Sequence, residues 1–265
     1  MPERKLKKLI AERRVILFVG AGVSAGLGVP TWSGLIDKMA VDLGYDPKIF
    51  QSSSDYFPTL AEYYSLQKTS IGELRSWMDK SWSRSPEELK KSDVHRIISD
   101  LNFPQIYTTN YDPFLENAFD LYEKEYAKIV SIKDIGDARE TATQIVKFHG
   151  DFTDDKSIVL TESDYFERLH FESPLDIKLR SDVLGKAILF IGYSLTDVNI
   201  RLLLHRLSKS WKTSGLEEHQ LSSYIFQTKP DPIQEAVLGK WGVNMIIGDE
   251  DDPGVALKEF LLKLL

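Results

Sequence analysis

Residues 15–30 read VILFVGAGVSAGLGVP, and this stretch decides the fold class of the chain. Its first five residues, Val15–Val19, form a continuous apolar run, which is typical of a strand buried on both faces of a parallel sheet. The glycines Gly20, Gly22 and Gly26 follow this run, and a helical pattern begins shortly after them. A strand, a glycine turn and a helix in this order predict a nucleotide-binding α/β unit.

Strand and helix signals alternate along the rest of the chain. Because strands separated by helices favour a parallel, doubly wound sheet, the predicted fold is α/β and Rossmann-like. Four further strands are predicted at Gln105–Thr108, Ala187–Ile191, Tyr224–Phe226 and Val243–Ile247. Helices are predicted at Lys5–Arg14, Ser33–Leu43, Pro113–Tyr122, Asp197–Trp211, Pro232–Trp241 and Pro253–Leu265.

The segment 44–85 departs from this alternation. It contains Pro47, Pro58 and three consecutive serines at positions 52–54. We interpret it as a small helical insertion, because a chain of 265 residues suits one large domain with an insertion. The predicted organisation is therefore a single domain, 1–265, with a helical insertion at about 44–85.

Composition and charge narrow the classes of function. A net charge of −7 argues against a broad surface for a phosphate backbone, so no direct nucleic-acid binding is expected. No apolar run is long enough to cross a bilayer, and the charged first residues do not resemble a signal peptide, so we expect a cytoplasmic location and no membrane partner. The chain has no cysteine, which excludes disulfides and thiolate zinc sites.

The glycine turn predicts dinucleotide binding. Glycines let the backbone approach a pyrophosphate, and the N-terminus of the next helix supplies free N–H groups and the positive end of a dipole. Tight strand-to-helix turns also need glycine for their own geometry. A typical dehydrogenase has an acidic residue at a strand end about 20 residues later. Asp42 is near that distance but lies in a helical pattern, so hydride transfer is a poor match.

Polar segments follow other strand-like runs. These segments are YTTNYD at 107–112, KFHGD at 147–151 and FIGYSLTD at 190–197. In an open α/β sheet, ligands bind beyond the carboxyl ends of the strands. We therefore expect these segments and the glycine turn to meet in one site.

In this order, the four segments resemble the motifs of the Sir2 (sirtuin) superfamily. The resemblance covers nearly the whole chain, from Val15 to about Gly248, and it is specific because four motifs recur in order at strand ends. The longer segments resemble the bacterial Sir2-like branch of anti-phage defence systems, whose members degrade NAD. They are GVPTW at 28–32, TTNYD at 108–112, KFHGD at 147–151 and IVLTESDY at 158–165.

The chain also departs from the protein-deacylating sirtuins. Those proteins have four zinc-binding cysteines soon after their His-Gly pair, so here neither a zinc module nor a metal is expected. Their Gly-Ile-Pro-Asp-Phe-Arg segment is GVPTWS at 28–33 in this chain, without the Asp or the Arg. Thr109 and Tyr193 stand where deacylases have Gln and Thr. These departures put an acyl-lysine reaction in doubt and leave NAD binding intact.

The resemblance implies roles for particular residues. His149 would be the general base, since imidazole titrates near neutral pH and can take a proton from water or a ribose hydroxyl. Asn110 would bind the nicotinamide ribose and place the attacking water, and Asp112 would hold the nicotinamide carboxamide. Ser24 and Ser194 would contact phosphate or ribose. The other NAD-binding residues implied are Gly20, Ala21, Gly22, Thr31, Trp32, Thr109 and Gly192.

Structural roles stay open for several of these residues. Asn110 at a strand end is also a common turn former, and Asp112 also suits the N-cap of the next helix. Ser24 is equally suited to cap a helix, and Trp32 to a core position. We interpret Asp197 as a helix cap and not as a catalytic residue. The remaining histidines are expected to be structural: His95, His170, His205 and His219.

The resemblance implies an NAD⁺ glycohydrolase that gives nicotinamide and ADP-ribose, or a cyclic form, in abortive-infection defence. Loss of nicotinamide passes through a ribose cation, so positioning and control of water carry most of the rate. We expect a homo-oligomer, and a defence partner such as an ATPase, nuclease or sensor, or a longer protein of which this chain is a fragment. Two alternatives stay open: an NAD-dependent protein deacylase, and a catalytically quiet module that binds NAD or ADP-ribose as a scaffold.

Overall fold

A parallel sheet of seven strands runs through the centre of the computed structural model, which describes residues 2–139, 142–169, 172–195, 197–215 and 217–265. The order of the strands across the sheet is β3-β4-β2-β1-β5-β6-β7, which confirms the predicted doubly wound α/β fold. In chain order the strands are β1 (Val15–Val19), β2 (Gln105–Thr108), β3 (Tyr126–Ile129), β4 (Thr143–Lys147), β5 (Ala187–Ile191), β6 (Ser223–Gln227) and β7 (Val243–Ile247).

Helices flank the sheet, and none in the described ranges is long and apolar enough to cross a membrane. The first eight are α1 (Pro2–Ala11), α2 (Ala21–Ala25), α3 (Trp32–Leu43), α4 (Pro47–Ser52), α5 (Phe57–Lys68), α6 (Gly72–Ser81), α7 (Pro86–Leu89) and α8 (Asp93–Asp100). The others are α9 (Phe114–Leu121), α10 (Ile132–Asp137), α11 (Glu162–Arg168), α12 (Pro174–Asp182), α13 (Val198–Ser214), α14 (Pro232–Gly239) and α15 (Pro253–Leu264). Short 3₁₀ turns occupy Asp155–Ser157, Val183–Gly185 and Glu217–His219.

The central strand β1 is buried along its whole length. Its odd-numbered residues, such as Leu17, belong to a core on one face of the sheet, and Ile16 and Phe18 belong to a core on the other face. This alternation follows from the period of two in a strand. The rings of Tyr107 and Phe190, on the two neighbouring strands, lie 6.0 and 5.3 Å from the ring of Phe18, so aromatic contacts join the three central strands.

A third core lies among the helices α3 to α6 and the loops that follow β2 and β4. Tyr64 and Met78 are fully buried within it. Trp82, just after α6, stacks on Tyr111 from the loop after β2, with ring centroids 6.5 Å apart. The helical layer therefore packs against loops at the carboxyl ends of the strands. The assignment of 1–265 to one domain, with an insertion at about 44–85, stays a prediction.

The chain reverses its direction of winding between β1 and β5. These strands are neighbours, and the chain continues from β1 towards β2 on one side and from β5 to β6 on the other. Such a switch point leaves a crevice beyond the carboxyl ends of the two strands, where ligands bind in open α/β sheets.

Candidate active site

A cavity of about 640 Å³ lies at this switch point. Its volume is within the usual range for a small-molecule site. It is bounded by the segments that follow β1, β2, β4 and β5 and by residues of α3, α5 and α11. The structure brings the following predicted site residues together in its lining: Ala21, Gly22, Ser24, Thr31, Trp32, Thr109, Asn110, Asp112, His149, Gly192 and Ser194.

The glycines of the two turns are required by contact between the turns themselves. The N–H of Gly20 donates to the carbonyl oxygen of Ile191, and that of Gly22 donates to the carbonyl oxygen of Gly192, each at 3.0 Å. A Cβ on Gly20 would lie 2.4 Å from the Gly192 oxygen. Gly192 has φ +58°, and a Cβ there would lie 2.6 Å from the nitrogen of Val23. Backbone therefore packs directly on backbone at this point.

This contact corrects one expectation about the glycine turn. The N–H groups of Gly20 and Gly22 are not free for a pyrophosphate, and the N–H of Val23 donates to the carbonyl oxygen of Gly20 at 3.1 Å. Gly20 itself is not part of the cavity lining and lies at the junction behind it. The glycine pattern thus indicates that the turns after β1 and β5 lie in close contact at the carboxyl ends of these strands.

Asn110 joins the end of β2 to the turn after β1. Its side-chain nitrogen donates to the carbonyl oxygen of Gly20 at 3.2 Å and to the hydroxyl of Ser24 at 3.1 Å. Its backbone N–H donates to the hydroxyl of Thr108 at 3.0 Å, which is the turn geometry that such a residue often adopts. Its side chain is buried at the cavity wall. The turn role and a place in the cavity are therefore compatible.

Ser24 does not cap a following helix, so that alternative is wrong. It lies inside α2, and Thr31 occupies the N-cap position of α3. The Ser24 hydroxyl hydrogen-bonds the carboxylate of Asp112. This contact helps to hold Asp112 at the cavity.

Asp112 is buried, and its carboxylate accepts a hydrogen bond from the N–H of Phe114 at 3.2 Å. Pro113 and not Asp112 occupies the N-cap position of α9, so Asp112 lies one residue before the cap. Burial raises the pKa of Asp112, while the positive charge of Lys147 opposes the rise. The ammonium of Lys147 donates to the carbonyl oxygen of Asp112 at 2.6 Å and lies 3.4 Å from the Glu116 carboxylate. A buried ion pair thus supports the loop after β2.

His149 is buried at the end of β4, with 2% of its surface exposed. Its ring lies between Phe148 and Tyr165, at centroid distances of 5.8 and 5.3 Å. Nε2 has no hydrogen-bond partner within the described part of the chain. Burial, followed by the charge of Arg168, lowers the pKa of His149 well below its ordinary value. The imidazole is therefore neutral at neutral pH and can accept a proton.

Asp197 is a cap, as predicted, but it also reaches the site. Its Oδ1 accepts hydrogen bonds from the N–H groups of Asn199 and Ile200, at 2.8 and 3.3 Å. Its Oδ2 lies 3.6 Å from Nε2 of His149 and accepts a hydrogen bond from the Tyr193 hydroxyl at 3.2 Å. The cap accounts for an aspartate at this position, and the contact with His149 is visible only in the fold.

Two aromatic residues form walls of the cavity, of which Trp32 was predicted from the sequence and Tyr56 was not. Trp32 lines the cavity and stacks on Phe57, with centroids 6.5 Å apart, so it is a wall residue. Tyr56 lines the cavity as well, and its hydroxyl has no hydrogen-bond partner among the residues that the structure describes. The segment around Tyr56 has the composition of a loop, and only its packing reveals that it reaches the site.

The other histidines lie outside the cavity lining wherever the structure describes them. His95 is buried in α8, and its Nδ1 lies 2.6 Å from the Ser92 hydroxyl. His170 lies outside the described residues. Within the described ranges, no group of three or more His, Cys, Asp or Glu side chains is arranged to hold a metal ion.

The SIR2-like domain family matches residues 104–246, more than half of the chain. An NAD(+) hydrolase ThsA of Enterococcus faecium is 31% identical over 235 residues, which cover 85% of this chain and 45% of that protein. Defense-associated sirtuin 2 of Bacillus subtilis is 29% identical over 234 residues, covering 85% and 22% of the two chains. The chain therefore spans less than half the length of these relatives.

Among solved structures, a complex of a Sir2 homologue with NAD aligns over 98% of this chain and 93% of that chain, with 15% identity and a TM-score of 0.49. The match to the family lies where the chain supplies β2 to β7 and most of the polar strand ends. On that match, the chain belongs to the SIR2-like domain family.

Proposed function

We propose that this chain is an NAD⁺ glycohydrolase, which uses water to cleave the bond between nicotinamide and ribose. The products are nicotinamide and ADP-ribose, or a cyclic form. The observation that carries this proposal is the meeting of Asn110 and a buried, neutral His149 in one cavity of about 640 Å³. Relatives named NAD(+) hydrolase ThsA and defense-associated sirtuin 2 support it and favour a role in anti-phage defence.

The chemistry requires few groups from the protein. The bond between C1′ of the ribose and the nicotinamide nitrogen breaks, and its electron pair leaves with nicotinamide. Water then adds to C1′ and gives its proton to His149, the general base. In this proposal Asn110 binds the ribose and places the water, and Asp112 holds the carboxamide. The aromatic walls keep bulk water away from the ribose cation.

Further contacts to NAD complete the proposed site. Ser24 and Ser194 contact phosphate or ribose. The two turns approach the dinucleotide through their backbone, and the pocket around nicotinamide is walled by side chains. These contributions come from Ala21, Gly22, Gly192, Thr31, Trp32 and Thr109, while Gly20 supports the turn from behind the cavity.

Water, rather than an acyl group, is the proposed acceptor. The chain has no cysteine, so it lacks the cysteine-bound zinc module of the deacylating relatives. NAD loss that depends on an added acyl-lysine peptide would favour a deacylase. Firm NAD binding without any release of nicotinamide would favour a scaffold module.

The decisive experiment measures nicotinamide release from NAD by wild type, Asn110→Ala and His149→Ala. We expect each substitution to lower the rate by about 100-fold or more, the usual contribution of a positioned acid or base. His219→Ala, at an exposed side chain, is the matched control and should keep the wild-type rate. Equal rates for wild type and the two site variants would refute these assignments.

We also propose that the protein acts in the cytoplasm as a homo-oligomer, controlled by a sensor, ATPase or nuclease. That controlling part is either a separate defence protein or the remainder of a longer chain. The proposal is supported by the length of the relatives, of which this chain matches less than half. Light scattering of the purified chain gives its mass in solution, and a monomer at all concentrations would contradict the oligomer.

A further inference from the structure

Three polar side chains joined by hydrogen bonds lie along the cavity wall, and His149 lies next to the last of them. The hydroxyl of Thr109 hydrogen-bonds the hydroxyl of Tyr193. Tyr193 in turn donates to Oδ2 of Asp197 at 3.2 Å, and this oxygen lies 3.6 Å from Nε2 of His149. Thr109 and Tyr193 are the two residues that differ from the Gln and Thr of protein deacylases. The two departures therefore meet in a single feature, which ends at the histidine.

We propose that Thr109, Tyr193 and Asp197 form a positioning relay, which holds a proton on Nε2 of His149 and stabilises the imidazolium that forms during NAD cleavage. The relay rests on the proposed function, because it acts through the general base. Asp197 and Tyr193 are positioning residues here, since they act on His149 and not on the substrate.

The carboxylate of Asp197 is held in a fixed orientation. Its Oδ1 accepts from the N–H groups of Asn199 and Ile200 at the start of α13, so the group cannot turn away without losing the cap. Burial raises the pKa of Asp197, but these bonds and the Tyr193 hydroxyl all favour the ionised form. An ionised carboxylate only accepts hydrogen bonds. A proton on Nε2 therefore faces it, and Nδ1 keeps the lone pair that accepts a proton.

The Tyr193 ring fixes the other end of the relay. Its centroid lies 5.4 Å from that of Phe18 and 6.0 Å from that of Phe190, so the ring is anchored on the aromatic core of the central strands. Gln227 also donates to the carbonyl oxygen of Tyr193 at 3.1 Å. The hydroxyl is thus presented to Asp197 by a rigid part of the molecule.

The histidine needs such a partner when it takes up a proton. Burial and the charge of Arg168 both disfavour the imidazolium. Arg168 is bound to Asp176 by hydrogen bonds of 2.6 and 3.2 Å, so its charge is largely balanced. The groups that face His149 from the packed elements are Arg168 and Tyr165 of α11, Asp197 before α13, and the neutral hydroxyls around the cavity. Among these, Asp197 is the negative charge placed at Nε2.

Two variants and a matched control test the relay by steady-state kinetics. Asp197→Asn keeps the cap, because asparagine caps helices as well as aspartate does, and removes the charge. We expect its kcat to fall about 100-fold with KM nearly unchanged, as for loss of acid–base assistance. The acid limb of its pH profile should move to lower pH, because the imidazolium loses its counter-charge. Tyr193→Phe should lower kcat about tenfold, the effect of one hydrogen bond.

The control is Asp252→Asn, at the N-cap of α15, where Asp252 accepts from the N–H groups of Gly254 and Val255 at 2.9 Å. It repeats the capping change at a distance from the cavity and should leave kcat and the pH profile as in wild type. If Asp197→Asn lowers only the melting temperature and keeps the wild-type pH profile, Asp197 is a cap alone and the relay is refuted.

A readout without catalysis separates the relay from the proposed function. Ring ¹⁵N shifts of labelled histidine report which nitrogen carries the proton, and the loss of signals in His149→Gln assigns the resonances of His149. We expect the Nε2–H tautomer in wild type and a mixture in Asp197→Asn. If wild type releases no nicotinamide, the proposed function fails, and the ring shifts still decide the relay. The same tautomer in both proteins would overturn it.

Discussion

Lys147 and Glu116 form a buried ion pair behind the candidate site. The Lys147 side chain is fully buried, its Nζ lies 3.4 Å from Oε1 of Glu116, and it donates to the carbonyl oxygen of Asp112. Removal of one partner from a buried pair leaves an uncompensated charge, which usually costs about 3–5 kcal/mol. We therefore expect Lys147→Met to lower the free energy of unfolding by about that amount, measured by urea denaturation.

Two further variants show whether burial causes this loss. The double variant Lys147→Met with Glu116→Gln should recover part of the stability, because Glu116 then carries no unpaired charge, while the buried Asp112 still lacks the nearby charge of Lys147. Lys124→Met removes a pair with Asp100 whose side chains are 40% and 33% exposed, and it should cost less than about 1 kcal/mol. A Lys147→Met loss as small as that of Lys124→Met would contradict the argument.

Residues of the site could be predicted from the sequence where a polar side chain comes soon after an apolar run. His149 and Asn110 stand out in this way, since each lies two residues after the end of a strand. Asp197 has a sufficient local explanation as a cap, and nothing in the sequence gives the direction of its second oxygen. Tyr56 lies in a loop far away in sequence, so its place in the cavity depends on how the helical layer packs.

At the scale of elements, the contact between the turns after β1 and β5 leaves no room for a side chain at position 192. Alanine there would place its Cβ 2.6 Å from the nitrogen of Val23, in addition to the strain of φ +58°. We expect Gly192→Ala to separate the two turns, lowering both the melting temperature and the affinity for NAD. Scanning calorimetry measures the melting temperature, and titration calorimetry measures the affinity for NAD.

Gly215 provides a matched comparison for this change. It also has a positive φ, +68°, at the end of α13, and a Cβ on it would meet nothing within 4 Å. Gly215→Ala therefore carries the backbone strain alone, about 1 kcal/mol, and should bind NAD as wild type does. Equal effects at Gly192 and Gly215 would show that the contact between the turns is unimportant.

The strands could be predicted to the extent that they are buried on both faces. All five residues of β1 and of β5 are buried, so both read as continuous apolar runs. The edge strand β3, YAKI, has only Ile129 buried, and β4 begins with Thr143 and Gln144 and ends at the buried Lys147. Neither strand is a continuous apolar run. Their polar residues are tolerated because β3 and β4 pair within the sheet and Lys147 has its ion pair with Glu116.

At the scale of the whole molecule, the position of the helical layer could not be predicted. The prolines and serines of residues 44–85 predict breaks between short helices, but they do not show which part of the sheet the helices cover. That is decided by contacts distant in sequence, such as Trp82 with Tyr111 and with Phe152. The site is thus enclosed by segments that pack together although no sequence pattern indicates that they do.

The stability of the whole fold should fall in mild acid because of its buried histidines. Burial lowers the pKa of His95 to about 4, and burial also lowers that of His149. The unfolded chain binds these protons near pH 6.5, so stability falls as the pH drops from there towards 4. For His95 alone the loss reaches about 3 kcal/mol.

Urea denaturation of His95→Gln between pH 7 and 4.5 should therefore show a flatter pH dependence than wild type. His219→Gln, at an exposed side chain, should keep the wild-type slope, and an unchanged slope in His95→Gln would mean that His95 is already protonated in the folded protein.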